Sequence, residues 1–381
     1  AAAAAATERA HHEPLGEDGD GLYSKATKGC FDVIANASDL VLDAVAAAPA
    51  PAAGAPFALA DFGTADGGTS MPLMGRAISA IRERLGDDTE VLVQYEDQPF
   101  NEWKSLFNYT QGTQRLPGVP VYTEEHSNVF VTASGTSFYE QCYPTASVQV
   151  GMSFTAMHWL SKLPCDLQAT LHSTQAEPDE KAKFMAQSQQ DWRSILKRRS
   201  AELALGGRFV FVNFCESTEG YYLGNTDRGA NMYSTFAELW RELVDDGTIT
   251  EAEFAACTFP NHYKTMAETL APFEEADGTF EGLRVVSCEE RVVRCPYLDE
   301  YLAAKERGEA QDSATHARDF VPTMRTWSNS TFANALDATR PAEERAAIVD
   351  RMFGMYEARV AANPEEYHMD YVHCYLVVER V

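Results

Sequence analysis

This 381-residue sequence predicts an α/β fold: a mostly parallel β-sheet covered by helices. Three observations predict it. Five short apolar segments, beginning near positions 57, 91, 129, 148 and 208, alternate with amphipathic stretches, and parallel strands joined through crossover helices satisfy that alternation most economically. Residues 57–70 read F-A-L-A-D-F-G-T-A-D-G-G-T-S. An apolar run meets Asp61 and turns through Gly63, Gly67 and Gly68, which is strand, loop, helix with a carboxylate at the strand's carboxyl end, where open α/β sheets bind ligands. Beyond Phe214 the rhythm changes to helices without strands between them, which predicts an insertion.

Taken in order, 28–48 carries Phe31, Ile34, Leu40, Val41 and Val45 at helical spacing. The Ala- and Pro-rich 47–56 ends that helix and leads into the first strand. Met71, Met74, Ile78, Ile81 and Leu85 share one face of the next helix, and a short strand over 91–95 finishes on Glu96 and Asp97. Strands follow over 129–132 and 148–152, then a short helix through Met157 and Leu160. The strongest helix, 180–205, spaces Phe184, Trp192, Ile195, Leu196 and Leu203 for burial and is expected to stop at Gly206-Gly207. The strand 208–214 is apolar throughout, as a strand covered on both faces requires. Helices are expected over 233–244, 251–256 and 265–273, a strand over 283–293 and a helix over 297–307. After a polar break at 308–313 come helices near 320–336 and 342–362, and a last strand near 372–380.

The formal charge of −26, without any run of Lys or Arg, argues against nucleic-acid binding and against anionic membranes, since both rest on basic patches. No apolar stretch reaches the roughly 20 residues a membrane helix needs. Eight cysteines stand singly with no C-x-x-C, which fits reduced thiols and a cytoplasmic protein better than a disulfide framework. The histidines show no metal-ligand spacing, so no metal is expected. Six alanines and an acidic stretch make 1–20 a disordered leader in this reading.

Several segments together resemble one family, the SABATH methyltransferases, which use S-adenosylmethionine to methylate small metabolites. Asp61-Phe-Gly63-Thr-Ala-Asp-Gly67 is similar to the family's D-L-G-C-S-S-G, Glu96-Asp97-Gln-Pro99-Phe-Asn101-Glu-Trp103 to N-D-L-P-x-N-D-F, and Ser137-Phe138-Tyr139 to G-S-F-Y. Ser153-Phe-Thr-Ala-Met157-His158-Trp159-Leu160-Ser161-Lys-Leu163-Pro164 resembles S-S-Y-S-L-H-W-L-S-Q-V-P. Leu205-Gly-Gly-Arg208, Met324-Arg325 and the closing Val-Val-Glu379-Arg380 continue the likeness. The resemblance implies the class I methyltransferase fold, a Rossmann-like, mostly parallel seven-stranded sheet with a helical substrate cap. It divides the chain into a cofactor-binding core over 21–214, a cap insertion over 215–280, and the last core strands with further cap helices over 281–381. It also implies a homodimer.

The same resemblance distributes roles. Asp97 would accept the ribose hydroxyls of S-adenosylmethionine, and Asp61, with backbone access at Gly63 and Gly67, would orient its methionine end together with Tyr23 and Thr27. Ser137 and Phe138 fall at the adenine. His158 and Trp159 are the catalytic candidates, because an indole N–H suits one oxygen of a carboxylate in a dry pocket. Cys30 and Thr155 stand where the family has a carboxylate-binding Gln and a Tyr, so half of that clamp is missing. Phe154, Met157, Phe236, Tyr263 and Trp327 are candidate acceptor-pocket walls, though core packing explains most aromatics without a ligand.

A sulfonium methyl is already activated and a carboxylate is already a nucleophile, so in-line transfer to a small acid needs alignment rather than a general base. An amine nitrogen or a thioether sulfur on the same scaffold stays open, as does a degenerate S-adenosylmethionine-binding regulator. A nicotinamide enzyme is a further alternative, although D-x-G-x-x-x-G is not the dinucleotide fingerprint.

Overall fold

In the computed structural model, residues 15–226, 230–275, 278–309 and 312–381 are described. Most of the expected leader lies outside them. Among the described residues ten strands form one sheet: β1 Phe57–Phe62, β2 Val91–Glu96, β3 Val129–Ser134, β4 Val148–Phe154, β5 Leu203–Phe214, β6 Leu223–Asn225, β7 Ala230–Asn231, β8 Thr279–Phe280, β9 Leu283–Val293 and β10 Asp370–Arg380. The helices are α1 Leu22–Ala26, α2 Lys28–Asn36, α3 Ser38–Ala47, α4 Met71–Leu85, α5 Trp103–Thr110, α6 Tyr122–Glu125, α7 Pro178–Glu202, α8 Met232–Asp245, α9 Glu251–Ala256, α10 Met266–Glu274, α11 Pro296–Glu306, α12 Ser313–Ala335 and α13 Ala342–Ala362.

Seven strands in the order β3-β2-β1-β4-β5-β10-β9 make the expected sheet. Neighbours from β3 to β5 are parallel, and β10 is antiparallel to both β5 and β9. Every residue of β1 and β4 is buried, because helices cover both faces. Side chains alternate between two cores along β1. Phe57 and Leu59 join Val41 and Val45 of α3 and Met74 and Ile78 of α4 on one face. Ala60 and Phe62 join Phe209, Phe211 and α7 residues Trp192, Ile195 and Leu196 on the other. On the first side the core continues into an aromatic cluster among α8, α12 and α13, where Phe236 packs its ring 5.2 Å from Phe332 and 5.4 Å from Tyr356.

The structure departs from these expectations at several elements. The single helix over 28–48 is two, α2 and α3, broken at Ala37. The helix expected to run to 205 ends at Glu202, and 203–205 open β5 instead. Gly206, at φ 78°, lies within that strand where its register against β4 shifts between Val148 and Val150, so the glycines accommodate a bulge. No helix forms through Met157 and Leu160. There the backbone pairs with 260–262: Leu160 N donates to Pro260 O at 2.8 Å and His262 N to His158 O at 3.1 Å, with Trp159 and Asn261 forming an antiparallel bridge. The stretch after Phe214 also contains the short strands β6 and β7, and α12 begins at Ser313, inside the expected polar break. Among the described residues no helix is long and apolar enough to cross a membrane.

Candidate active site

The carboxyl ends of β1, β2, β3 and β4 release four loops on one edge of the sheet. Between them and α12 lies a cavity of about 410 Å³. The β1 loop is shaped by close approach. Gly63 has φ 71°, and a Cβ there would sit 2.2 Å from that of Ala156, so only glycine passes. Asp97, just past β2, holds the loop: its Oδ2 accepts Ala65 N at 2.8 Å and its Oδ1 accepts Gln98 N at 2.7 Å. Asn101 Nδ2 donates to Ala65 O at 2.7 Å from the same segment. Asp97 is half-buried and lines the cavity. Burial pushes its carboxyl up to about 6 against the two backbone N–H groups.

Asp61 is buried behind that loop, its carboxyl raised by burial to about 7 despite Ser70 and Thr64 hydroxyls. It lines a small adjoining cavity of about 20 Å³ with Tyr23, Cys30, Gly63, Phe154 and Thr155. Next to Asp97, the fully buried Glu96 has one carboxyl oxygen, Oε1, with no hydrogen-bond partner. Burial, with Asp97 beside it, holds Glu96 well above the usual carboxylate range.

Tyr23 reaches the cavity from α1, which is pinned on two sides. Ser24 N donates to Asp66 Oδ2 at 2.9 Å, with the Ser24 hydroxyl on the other oxygen. Ala26 O accepts Tyr297 OH at 2.7 Å and the Thr323 hydroxyl of α12. Thr27 lines the cavity but spends its hydroxyl on Tyr23 O at 2.6 Å. Cys30 lies 3.5 Å from Tyr23 OH through its sulfur.

Ser137 and Phe138 line the far wall. Their loop is held from α7 by a buried ion pair. Arg199 donates from Nε and Nη2 to Glu202 at 2.6 and 2.8 Å, while Nη1 reaches Phe138 O at 2.7 Å and Nη2 reaches Glu140 O at 2.8 Å. Glu202 in turn accepts the N–H groups of Cys142 and Tyr143.

At the other end, Thr155, His158, Trp159, Tyr263 and Trp327 converge with Asn261, Phe214 and Tyr371. Thr155, at φ 58°, places its hydroxyl 3.1 Å from His373 Nε2. His158 is 3% exposed, packed edge-on to Phe214 and Tyr263 at 5.2 and 5.4 Å, and its Nδ1 has no partner. Burial, with His373, Lys264 and His172 nearby, keeps it neutral by lowering its pKa well below the ordinary histidine value. Trp159 is half-buried and lines the cavity, and its carbonyl accepts Tyr139 OH at 2.5 Å. Among the described residues Asp97 is the one carboxylate that lines the main cavity, and neither Lys nor Arg lines it.

Thus Tyr23, Thr27, Cys30, Gly63, Asp97, Ser137, Phe138, Thr155, His158, Trp159, Tyr263 and Trp327 share the main cavity, and Asp61 and Phe154 its side chamber. Three expectations are corrected. Met157 is fully buried in the α7-side core, and Phe236 in the aromatic cluster, so neither is a pocket wall. Gly67 lines neither chamber; its N–H closes the loop onto Thr64 O at 2.9 Å at φ 71°. Sequence reasoning also passed over Asp66, Asn101 and Tyr139, which lie inside the quoted motifs, and Arg199, Glu202 and Asn261, which do not. The i,i+3 spacing of Arg199 and Glu202 was the only signal for that pair. Among the described residues no cluster of His, Cys, Asp and Glu could hold a metal ion.

The residues present fit S-adenosylmethionine: a cavity-facing carboxylate after β2, an aromatic wall after β3, and a side chamber with Asp61 behind a glycine-tight loop. Comparison with known proteins points the same way. The chain is 26% identical over 201 residues to a salicylate/benzoate carboxyl methyltransferase of Arabidopsis thaliana, covering 49% of this chain and 48% of that one. It is 27% identical over 283 residues to a probable 7-methylxanthine methyltransferase 3 of Theobroma cacao, covering 69% and 73%. The first of these alignments spans about half the relative's length. A solved loganic acid methyltransferase with SAH superposes with a TM-score of 0.73 at 18% identity over 97% of this chain and 98% of that one, a likeness of fold. Residues 12–381 match the SAM dependent carboxyl methyltransferase family, and the chain belongs to it.

Proposed function

We propose that this protein transfers a methyl group from S-adenosylmethionine to the carboxylate of a small acid. The observation that carries the reading is one continuous cavity joining the Asp97 and Phe138 walls to the His158 and Trp159 end. When bound, the cofactor supplies an electrophilic methyl on a sulfonium. Asp97 offers its carboxylate to the ribose, Phe138 its ring to the adenine, and Asp61 with Tyr23 the methionine end. The Trp159 indole meets one acceptor oxygen. His158, neutral and enclosed, lends polarity without charge. The aromatic wall excludes water, which aligns the nucleophile for in-line attack and removes its hydration. No group has to take a proton, since the acid is ionised before it binds.

The core over 21–214, the cap over 215–280 and the returning strands and cap helices over 281–381 form the division of labour in this proposal. A homodimer in the cytoplasm belongs to it too, supported by the family likeness and by eight free cysteines; light scattering on the purified chain tests the dimer. Isothermal titration with S-adenosylmethionine and S-adenosylhomocysteine, on the wild type and Asp97→Ala, tests the cofactor. Binding that weakens about ten-fold or more in the variant, about 1.4 kcal/mol, is expected. A folded wild type that binds neither ligand overturns the reading.

A further inference from the structure

The cavity sets a recognition problem. Among the described residues a carboxylate entering it meets no Lys or Arg, so neutral donors must satisfy it. Trp159 offers one N–H. The position where the family resemblance calls for a second arm is Cys30, a poor hydrogen-bonding group.

Asn261 stands where that arm is needed. It is 1% exposed yet lines the cavity. Its carboxamide lies toward His172 and Tyr233, but neither Nδ2 nor Oδ1 has a partner at hydrogen-bonding geometry. A buried amide left unmatched destabilises the fold, a cost that a ligand can offset. The antiparallel bridge between Trp159 and Asn261 sets the two side chains on the same face of the paired backbones. The backbone there is fixed: Asn261 N donates to Phe259 O at 2.9 Å, Ser173 Oγ donates to Asn261 O at 3.3 Å, and the flanking Leu160 and His262 N–H groups are both paired. Such a group is positioned before any ligand arrives.

We propose that Asn261 is a specificity-determining residue for the methyl acceptor, completing with Trp159 a neutral carboxylate clamp and selecting small monocarboxylic acids that carry a hydroxyl or N–H beside the carboxylate. The inference rests on the carboxyl-methylation reading above. Its chemistry follows from the two ends of the carboxamide. Nδ2–H donates to a carboxylate oxygen. Oδ1 can only accept, so an acid without a neighbouring donor leaves it unpaired or opposes it to a carboxylate oxygen. Sites built to hydrogen-bond a substrate hydroxyl discriminate strongly against analogues lacking it. A second carboxylate would find no cation on the wall, which excludes dicarboxylates.

The test uses the full chain saturated with S-adenosylhomocysteine and three matched pairs of acids: benzoate and salicylate, phenylacetate and mandelate, hexanoate and 2-hydroxyhexanoate. Titration is run on wild type, Asn261→Leu and Asn261→Asp, with S-adenosylhomocysteine affinity and melting temperature measured for each. In wild type, at least one hydroxy acid is expected to bind ten-fold or more tighter than its partner. Asn261→Leu should bring the two together, and Asn261→Asp should abolish acid binding by charge repulsion, both with cofactor affinity within two-fold of wild type. Wild-type affinity and preference retained in both variants overturn the inference alone. If no acid binds the wild-type complex although S-adenosylhomocysteine does, the carboxyl-acceptor reading falls and the inference with it.

Discussion

Asp61 and Asp97 are acids whose fold resists their ionisation. Both are raised chiefly by burial, to about 7 and about 6, from an ordinary value near 3.9. The folded state therefore binds more protons than the unfolded state between about pH 4 and 7, and these two groups lose stabilising effect as pH rises through their folded values. Asp61→Asn should narrow the gap in melting temperature between pH 5 and pH 8; an unchanged gap would show that Asp61 does not titrate there. A bound sulfonium and ammonium favour the ionised carboxylates, so cofactor affinity should increase from pH 5.5 to 7.5 with proton release. Titration in buffers of different ionisation enthalpy detects that proton. Affinity flat across the window would remove Asp61 and Asp97 from the cofactor's surroundings.

Two short segments are held by side chains from elsewhere in the chain. α1 has five residues, too few to persist alone, and Asp66 anchors it through Ser24. Asp66→Ala should leave the global melting temperature within a few degrees. It should raise amide exchange selectively over residues 22–27 and weaken S-adenosylmethionine binding, because Tyr23 goes with the helix; exchange unchanged there would deny the anchor. The loop carrying Phe138 depends likewise on Arg199. Removing one partner of a buried pair costs about 3–5 kcal/mol, whereas replacing both by apolar residues is often close to neutral. Arg199→Met is therefore expected to lower unfolding free energy by about that amount, and Arg199→Met with Glu202→Leu by distinctly less. Both should lose cofactor affinity, since Phe138 O loses its donor in each. Equal destabilisation in denaturant titrations would mean that the loop contacts, not the stranded charge, set the cost.

Over the whole molecule the excess of 26 negative charges opposes compaction through self-repulsion. Surface ion pairs such as Lys28–Glu300 and Arg115–Glu124 contribute little, about 0–1 kcal/mol each. Screening removes both effects, and the uncompensated charge outweighs the pairs. Raising sodium chloride from about 10 mM to 500 mM shortens the Debye length from about 30 Å to about 4 Å and should raise the melting temperature. A fall would show that the ion-pair network dominates.

The seven main strands, the helix-covered and mostly parallel sheet and the Gly-rich loop after β1 were legible because each is a local pattern. Apolar runs of strand length, a glycine where a side chain would strike Ala156, and a carboxylate at a strand end all stand in the primary structure. The linked motifs around Asp97, Ser137 and Trp159 carried the family as well. Packing decided the rest. Residues 157–160 are apolar enough for a helix, but the backbone of His158 and Leu160 pairs with 260–262 instead. Phe236 and Met157 look like pocket aromatics and sulfurs in a linear reading, and only the layers around them show that they face other core residues. Asn261 belongs to no motif. Its meaning comes from a backbone bridge to a residue about a hundred positions earlier, a relation that hydrophobic periodicity and local turn chemistry do not encode and that exists only once the chain has closed on itself.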